Sequence, residues 1–99
     1  MPVTIGTVTT FPHPKADKAQ VLKICEECCE VFSAWETYTG MTITAGGQSA
    51  ISRAARNVLV GECADVIQAT ANLLAALDVD DMRGAMAACE ERNRERGRL

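Results

Sequence analysis

The chain lacks an uninterrupted apolar run of the roughly 20 residues that a membrane-spanning helix needs, because Asp65, Gln68, Asn72 and Asp78 break up the longest candidate. Met1 to Thr10 has no basic side chain and no sustained apolar core, so it does not read as a secretory signal peptide. An excess of positive charge is missing too. With a formal net charge of -3, the composition argues against coating DNA or RNA, which rests on clustered Lys and Arg meeting phosphates. The expectation is a cytoplasmic protein with neither a membrane nor a nucleic-acid polymer as its partner.

Paired cysteines are also wanting. Five cysteines are an odd number, and Cys25, Cys28 and Cys29 crowd one short stretch, which suits reduced thiols better than a disulfide framework. Cys25 and Cys28 have the spacing of half a zinc site, but no second cysteine pair completes it, and His13 lies between two prolines in the N-terminal arm. These thiols are expected to be small core residues on the apolar side of a helix. No internal repeat is present. Gly46-Gly47-Gln48-Ser49 lacks the P-loop pattern and reads as a plain turn.

What is present is an ordinary globular composition, 47% hydrophobic and 23% charged over 99 residues. A single domain of that size buries only about two thirds of its unfolded surface, so a partner subunit would help. Residues 1–14, with Pro2, Pro12 and Pro14, read as an extended or mobile arm. Residues 15–99 read as one all-α domain. A first amphipathic helix is expected from about Asp17 to Tyr38, where Val21, Leu22, Cys25, Cys28, Cys29, Phe32 and Trp35 recur at helical spacing. Thr37 to Gly40 would end it, leaving Met41 to Ser49 as a loop.

A second helix would start between Gln48 and Arg56 and run to about Leu77, with Gly61 able to bend or split it. Its broad apolar face holds Leu59, Cys63, Val66, Ile67, Thr70, Leu73, Leu74 and Leu77. Ala64, Ala69, Ala71, Ala75 and Ala76 form a second, small-residue face suited to packing against another subunit. Asp80 and Asp81 would cap a third helix of about sixteen residues, with Met82, Ala85, Met86 and Cys89 inward and a basic end. The expected fold class is all-α, a bundle of about three main helices per chain completed by oligomerisation.

Carboxylates carry the chemistry. Glu27 and Glu30 stand three apart on the first helix, with Glu26 one turn from Glu30, and Glu62 and Asp65 repeat the three-residue step on the second. A merely solvated acidic face alternates with Lys or Arg at i±3 and i±4, whereas among Glu27, Glu30, Glu62 and Asp65 only Glu27 has such a partner, Lys23. Acidic pairs on two adjacent helices can surround Mg²⁺, a hard cation that takes a few carboxylates plus substrate phosphate oxygens.

The stretch Glu26-Glu27-Cys28-Cys29-Glu30, followed by Glu62-Cys63-Ala64-Asp65, resembles the ExxE and ExxD signature of the MazG-like all-α nucleoside triphosphate pyrophosphohydrolases. The similarity runs from about Val21 to Arg98, and is to the small stand-alone phage and bacterial members. It implies hydrolysis of a nucleoside triphosphate to a monophosphate and pyrophosphate, by a homodimer or homotetramer. It also implies Mg²⁺, with Mn²⁺ as a substitute, held by Glu27, Glu30, Glu62 and Asp65, while Glu26 acts as an outer acid or base. Arg92, Asn93 and Arg96 fall where phosphate contacts are expected, although the two arginines equally suit the helix dipole. The Asn72 amide could reach a base or sugar, or could serve a buried structural hydrogen bond. The segment 40–53 is longer than in the family, and reads as an insertion or mobile flap. The rival expectation is a non-catalytic helical dimerisation or adaptor module whose acids serve solubility.

Overall fold

The computed structural model describes all 99 residues and contains helices and no strands. Helix α1 spans Lys18–Ala45, α2 spans Ala50–Ala76 and α3 spans Arg83–Glu95. Asp17 caps α1, its carboxylate accepting from the Gln20 N–H at 2.9 Å. Ser49 does the same for α2, its hydroxyl accepting from the Ser52 N–H at 3.0 Å.

α1 continues seven residues beyond the expected end at Tyr38, so the loop expected over Met41 to Ser49 shrinks to the turn Gly46–Ser49. Thr39 and Thr44 satisfy their hydroxyls inside the helix by donating back to the Glu36 and Gly40 carbonyls, and Thr42 Oγ1, 3.0 Å from Ser52 Oγ, ties this last stretch of α1 to α2 across the hairpin. A threonine-rich run that looks loop-like in sequence is thus held helical by its neighbour. Gly40 stays inside the helix, at the modest cost glycine carries there. Gly46, at φ 86°, ends it in a conformation that favours glycine. The 40–53 segment is therefore helix, tight turn and helix, with no flap. Gly61 does not split α2, which is one continuous helix.

α1 and α2 form an antiparallel hairpin. The α1 seam runs through Ile24, Glu27, Val31, Ala34 and Tyr38, and the α2 seam through Ala55, Leu59, Glu62, Val66 and Ala69, all buried or half-buried. The buried residues are small, Ala34, Ser52, Ala55, Ala69 and Asn72, which lets the two backbones approach closely. Of the small residues expected to face another subunit, Ala69 is buried and its carbonyl accepts from Gln20 Nε2 of α1 at 3.2 Å, whereas Ala64 is exposed and Ala71, Ala75 and Ala76 are half-buried.

The larger apolar residues are the ones left uncovered. A helix turns 100° per residue, so the position after each seam residue lies on one flank and the position before it on the other. In α1 the following positions are Cys25, Cys28, Phe32, Trp35 and Thr39, the first four exposed, with Phe32 at 63% and Trp35 at 50%, and Thr39 half-buried. In α2 they are Arg56, Val60, Cys63, Ile67 and Thr70, the first three exposed and the rest half-buried. In an antiparallel pair these two flanks share one side of the hairpin. Cys25, Cys28, Cys29 and Cys63 are consequently exposed thiols rather than core residues.

α3 has 13 residues, fewer than expected, and packs on neither α1 nor α2. Asp81 serves its start, accepting from the Arg83 N–H at 2.9 Å and clasping its guanidinium at 2.7 Å, while Asp80 makes no such bond. With no helix opposite, Met82 and Met86 are exposed instead of facing inward.

The N-terminal arm is extended and anchored. Phe11 N–H donates to Asn72 Oδ1 at 3.0 Å, and Gln68 Nε2 donates to the Thr9 carbonyl at 3.0 Å. Between the arm, α2 and the segment leading into α3 lies a mostly apolar groove of about 1100 Å³. By length and mean hydropathy (1.3), α2 falls in the range of a membrane-crossing helix, a range that the core helix of a soluble protein also reaches. Glu62 and Asp65 near its middle are what a lipid interior would penalise.

Candidate metal centre

The flank opposite the exposed apolar side is the polar one. Lys23, Glu26 and Glu30 precede the α1 seam residues, and Asp65 precedes Val66 of the α2 seam. Antiparallel packing brings Glu27 of α1 opposite Glu62 of α2. One carboxylate oxygen from each of Glu27, Glu62 and Asp65 can be chosen so that all three lie within 4.8 Å of one another. Glu27 and Glu62 are half-buried at the seam, and Asp65 is exposed at its edge. These three oxygen donors could hold a divalent cation, and an oxygen-only set is what a hard cation takes.

Glu62 bears the electrostatic load. Desolvation raises its pKa above the ordinary carboxylate value, and the charges of Asp65, Glu30 and Glu27 add to the shift. Glu27 has a compensating neighbour in Lys23, whose Nζ lies 3.0 Å from its carboxylate and 3.5 Å from that of Glu26. The same contacts raise the Lys23 pKa, the hydrogen bond to Glu27 being the main cause.

Of the acids singled out in the sequence, Glu27, Glu62 and Asp65 converge. Glu30 is exposed and outside the trio, although near enough for Glu62 to feel its charge. Glu26 is exposed and paired with Lys23. Asn72 is buried, its Oδ1 accepting from Phe11 N–H and from Gln68 Nε2 at 3.1 Å. That makes it the anchor of the arm. Arg92, Asn93 and Arg96 lie on α3 or at its end, and α3 does not approach the helices that carry the trio. Asn93 instead donates to Cys89 Sγ at 3.6 Å and accepts from Arg98 at 3.2 Å.

Sequence reasoning passed over the arm's contribution. Phe11 to Lys15 join Ala19, Gln20, Lys23 and Asn72 around an open cleft of about 400 Å³, which reaches the trio's neighbour Lys23 and holds Lys15 and His13. The signal available was Phe11, an aromatic residue beside the arm's prolines. No protein-family model matches this chain, and no curated protein and no solved structure matches it either.

Proposed function

We propose that the chain is a Mg²⁺-dependent nucleotide pyrophosphohydrolase that cleaves a ribo- or deoxyribonucleoside triphosphate to its monophosphate and pyrophosphate. The observation that carries this reading is the convergence of Glu27, Glu62 and Asp65 from two helices on one small volume. Like charges gathered at a half-buried seam are unfavourable without a cation, and the Glu62 pKa is raised by desolvation first and by the charges of Asp65, Glu30 and Glu27 second. The donor set fits Mg²⁺ or Mn²⁺.

In this reading Glu27, Glu62 and Asp65 hold the ion, with Glu30 at the margin. The chemistry that ion supplies is neutralisation of phosphate charge and a lowered pKa for the attacking water. The chain's own groups do the rest. Lys23 restrains Glu27, and Glu26, exposed one turn from Glu30, is available to take the proton released as water adds to phosphorus and pyrophosphate departs. Arg92, Asn93 and Arg96 would have to reach the phosphates from another subunit, since their own α3 stands apart.

The adaptor reading draws on a different observation, the uncovered apolar side of the hairpin. It gives no reason for three carboxylates to meet. Assaying the full chain for pyrophosphate release from a panel of ribo- and deoxyribonucleoside triphosphates, with Mg²⁺ or with chelator, separates the two. Mg²⁺-dependent turnover of at least one nucleotide is expected, and no turnover of any would leave the adaptor.

A further inference from the structure

We infer that Cys25, Cys28 and Cys29 form a three-sulfur site on the surface of α1 for one soft, thiophilic cation of the Cu⁺ class. The site is separate from the carboxylate trio, and the inference is independent of the phosphohydrolase reading. Free cysteine is among the residue types most often buried, and its chemistry rather than its packing is the usual reason to keep it in the open. Four of the five thiols here are exposed and none is in a disulfide. Three of those four fall within five consecutive residues of one helix.

The helix itself brings them together. Residues three and four apart are neighbours on a helix surface, with Cβ atoms roughly 5–6 Å from each other. Cys25 therefore has both Cys28 and Cys29 one turn above it, and those two are adjacent along the chain. Being exposed, the three side chains are free to change rotamer and close onto a single ion from that spacing.

The donors select the ion. Soft thiolates favour Cu⁺, whereas Mg²⁺ takes oxygen. Zinc closes a structural site with four ligands, and α1 offers three; Cys63 belongs to the facing helix, and Cys89 to α3, which packs on neither. Neighbouring charge draws a cation in, since Glu26 and Glu30 flank the thiols while Lys23 is already engaged by Glu26 and Glu27. Each thiol gives its proton to solvent as its sulfur takes the ion, and the copper keeps its oxidation state. Cys28 follows Glu27 in the chain but is turned 100° from it, away from the half-buried carboxylate at the seam. A hard ion and a soft one thus have separate places on the same helix.

The test titrates the full, reduced chain with Cu⁺ under anaerobic conditions against a colorimetric Cu⁺ chelator, for wild type, Cys25→Ser, Cys63→Ser and Cys89→Ser. Wild type, Cys63→Ser and Cys89→Ser should each take one Cu⁺ per chain with the same affinity. Cys25→Ser should bind at least about 10-fold more weakly, the least that altering a group supporting a metal ligand costs. Saturating Mg²⁺ should leave these affinities unchanged. The inference is overturned if wild type takes no Cu⁺ from the chelator, if Cys25→Ser binds as tightly as wild type, or if Cys63→Ser loses as much as Cys25→Ser. Displacement of Cu⁺ by Mg²⁺ overturns it too, because the copper would then lie on the carboxylates. Should Cys25→Ser lose its helical circular dichroism, Cys29→Ser, on the face turned away from the seam, takes its place with the same expected loss.

Discussion

Lys23 Nζ sits 3.0 Å from Glu27 Oε1, one turn apart on α1, and so gives a cation to one member of a carboxylate trio whose other two members have none. An ion entering the site competes with that lysine for the same carboxylate. Lys23→Gln should therefore lower the melting temperature in chelator slightly and enlarge the rise that Mg²⁺ produces. Melting curves with and without Mg²⁺ check this, and an unchanged Mg²⁺ effect would separate Glu27 from the ion.

The raised pKa of Glu62 makes stability depend on pH in a direction opposite to that of most paired acids. A carboxyl that holds its proton more tightly when folded contributes stability fully below its unfolded value, near 4.5, and loses it as pH climbs through the raised one. In chelator the melting temperature should fall as pH goes from about 5 to neutrality, and Mg²⁺ should flatten that slope. Asp81 does not blur the measurement, because its pKa is lowered by Arg83 and its contribution is lost only in more acidic solution. Glu62→Gln should abolish the slope, which calorimetry across this range would reveal.

Asp65→Asn removes a charged donor at the exposed edge of the site and leaves the seam untouched. Activity should drop by more than about 100-fold, since altering even a group that supports a metal ligand costs roughly 10- to 100-fold. The metal-free protein should be as stable as wild type or more so, because one source of repulsion on Glu62 is gone. Kinetics paired with melting in chelator tests both halves; a variant that loses activity only by unfolding would refute the assignment.

Asn72→Ala takes away the oxygen that accepts from Phe11 N–H and from Gln68 Nε2. The expected loss is about 1–3 kcal/mol, the range for leaving a largely buried polar group unsatisfied. The arm should come free before the hairpin does. Hydrogen exchange at the Phe11 amide should accelerate by more than that of the α1 or α2 amides, and uniform acceleration would mean that Asn72 supports the hairpin instead.

Much of the helical plan was legible because α1 and α2 carry long apolar periods and α1 opens on Asp17, whereas the Ser49 cap of α2 reads as part of a turn until the structure shows it. The pairing of Glu27 with Glu62 and Asp65 was legible as well, from spacing and the scarcity of basic neighbours. Three features were not. Residues Met41 to Ala45 look like loop until Thr42 meets Ser52, a contact between helices that no local pattern contains. Hydrophobic weight is a poor guide to the seam, because Ala34, Ala55 and Ala69 line it and Phe32 and Trp35 do not. The arm looked idle because its partners, Gln68 and Asn72, are polar residues far along the chain.

The hairpin turn also bears on the order of assembly. Gly46 to Ser49 bring α1 and α2 together through contacts close in sequence, so the hairpin has little chain entropy to overcome and can close early. The bond from Phe11 to Asn72 spans 61 positions. It can form only once α2 offers its surface, which makes the arm a late latch on a scaffold already standing.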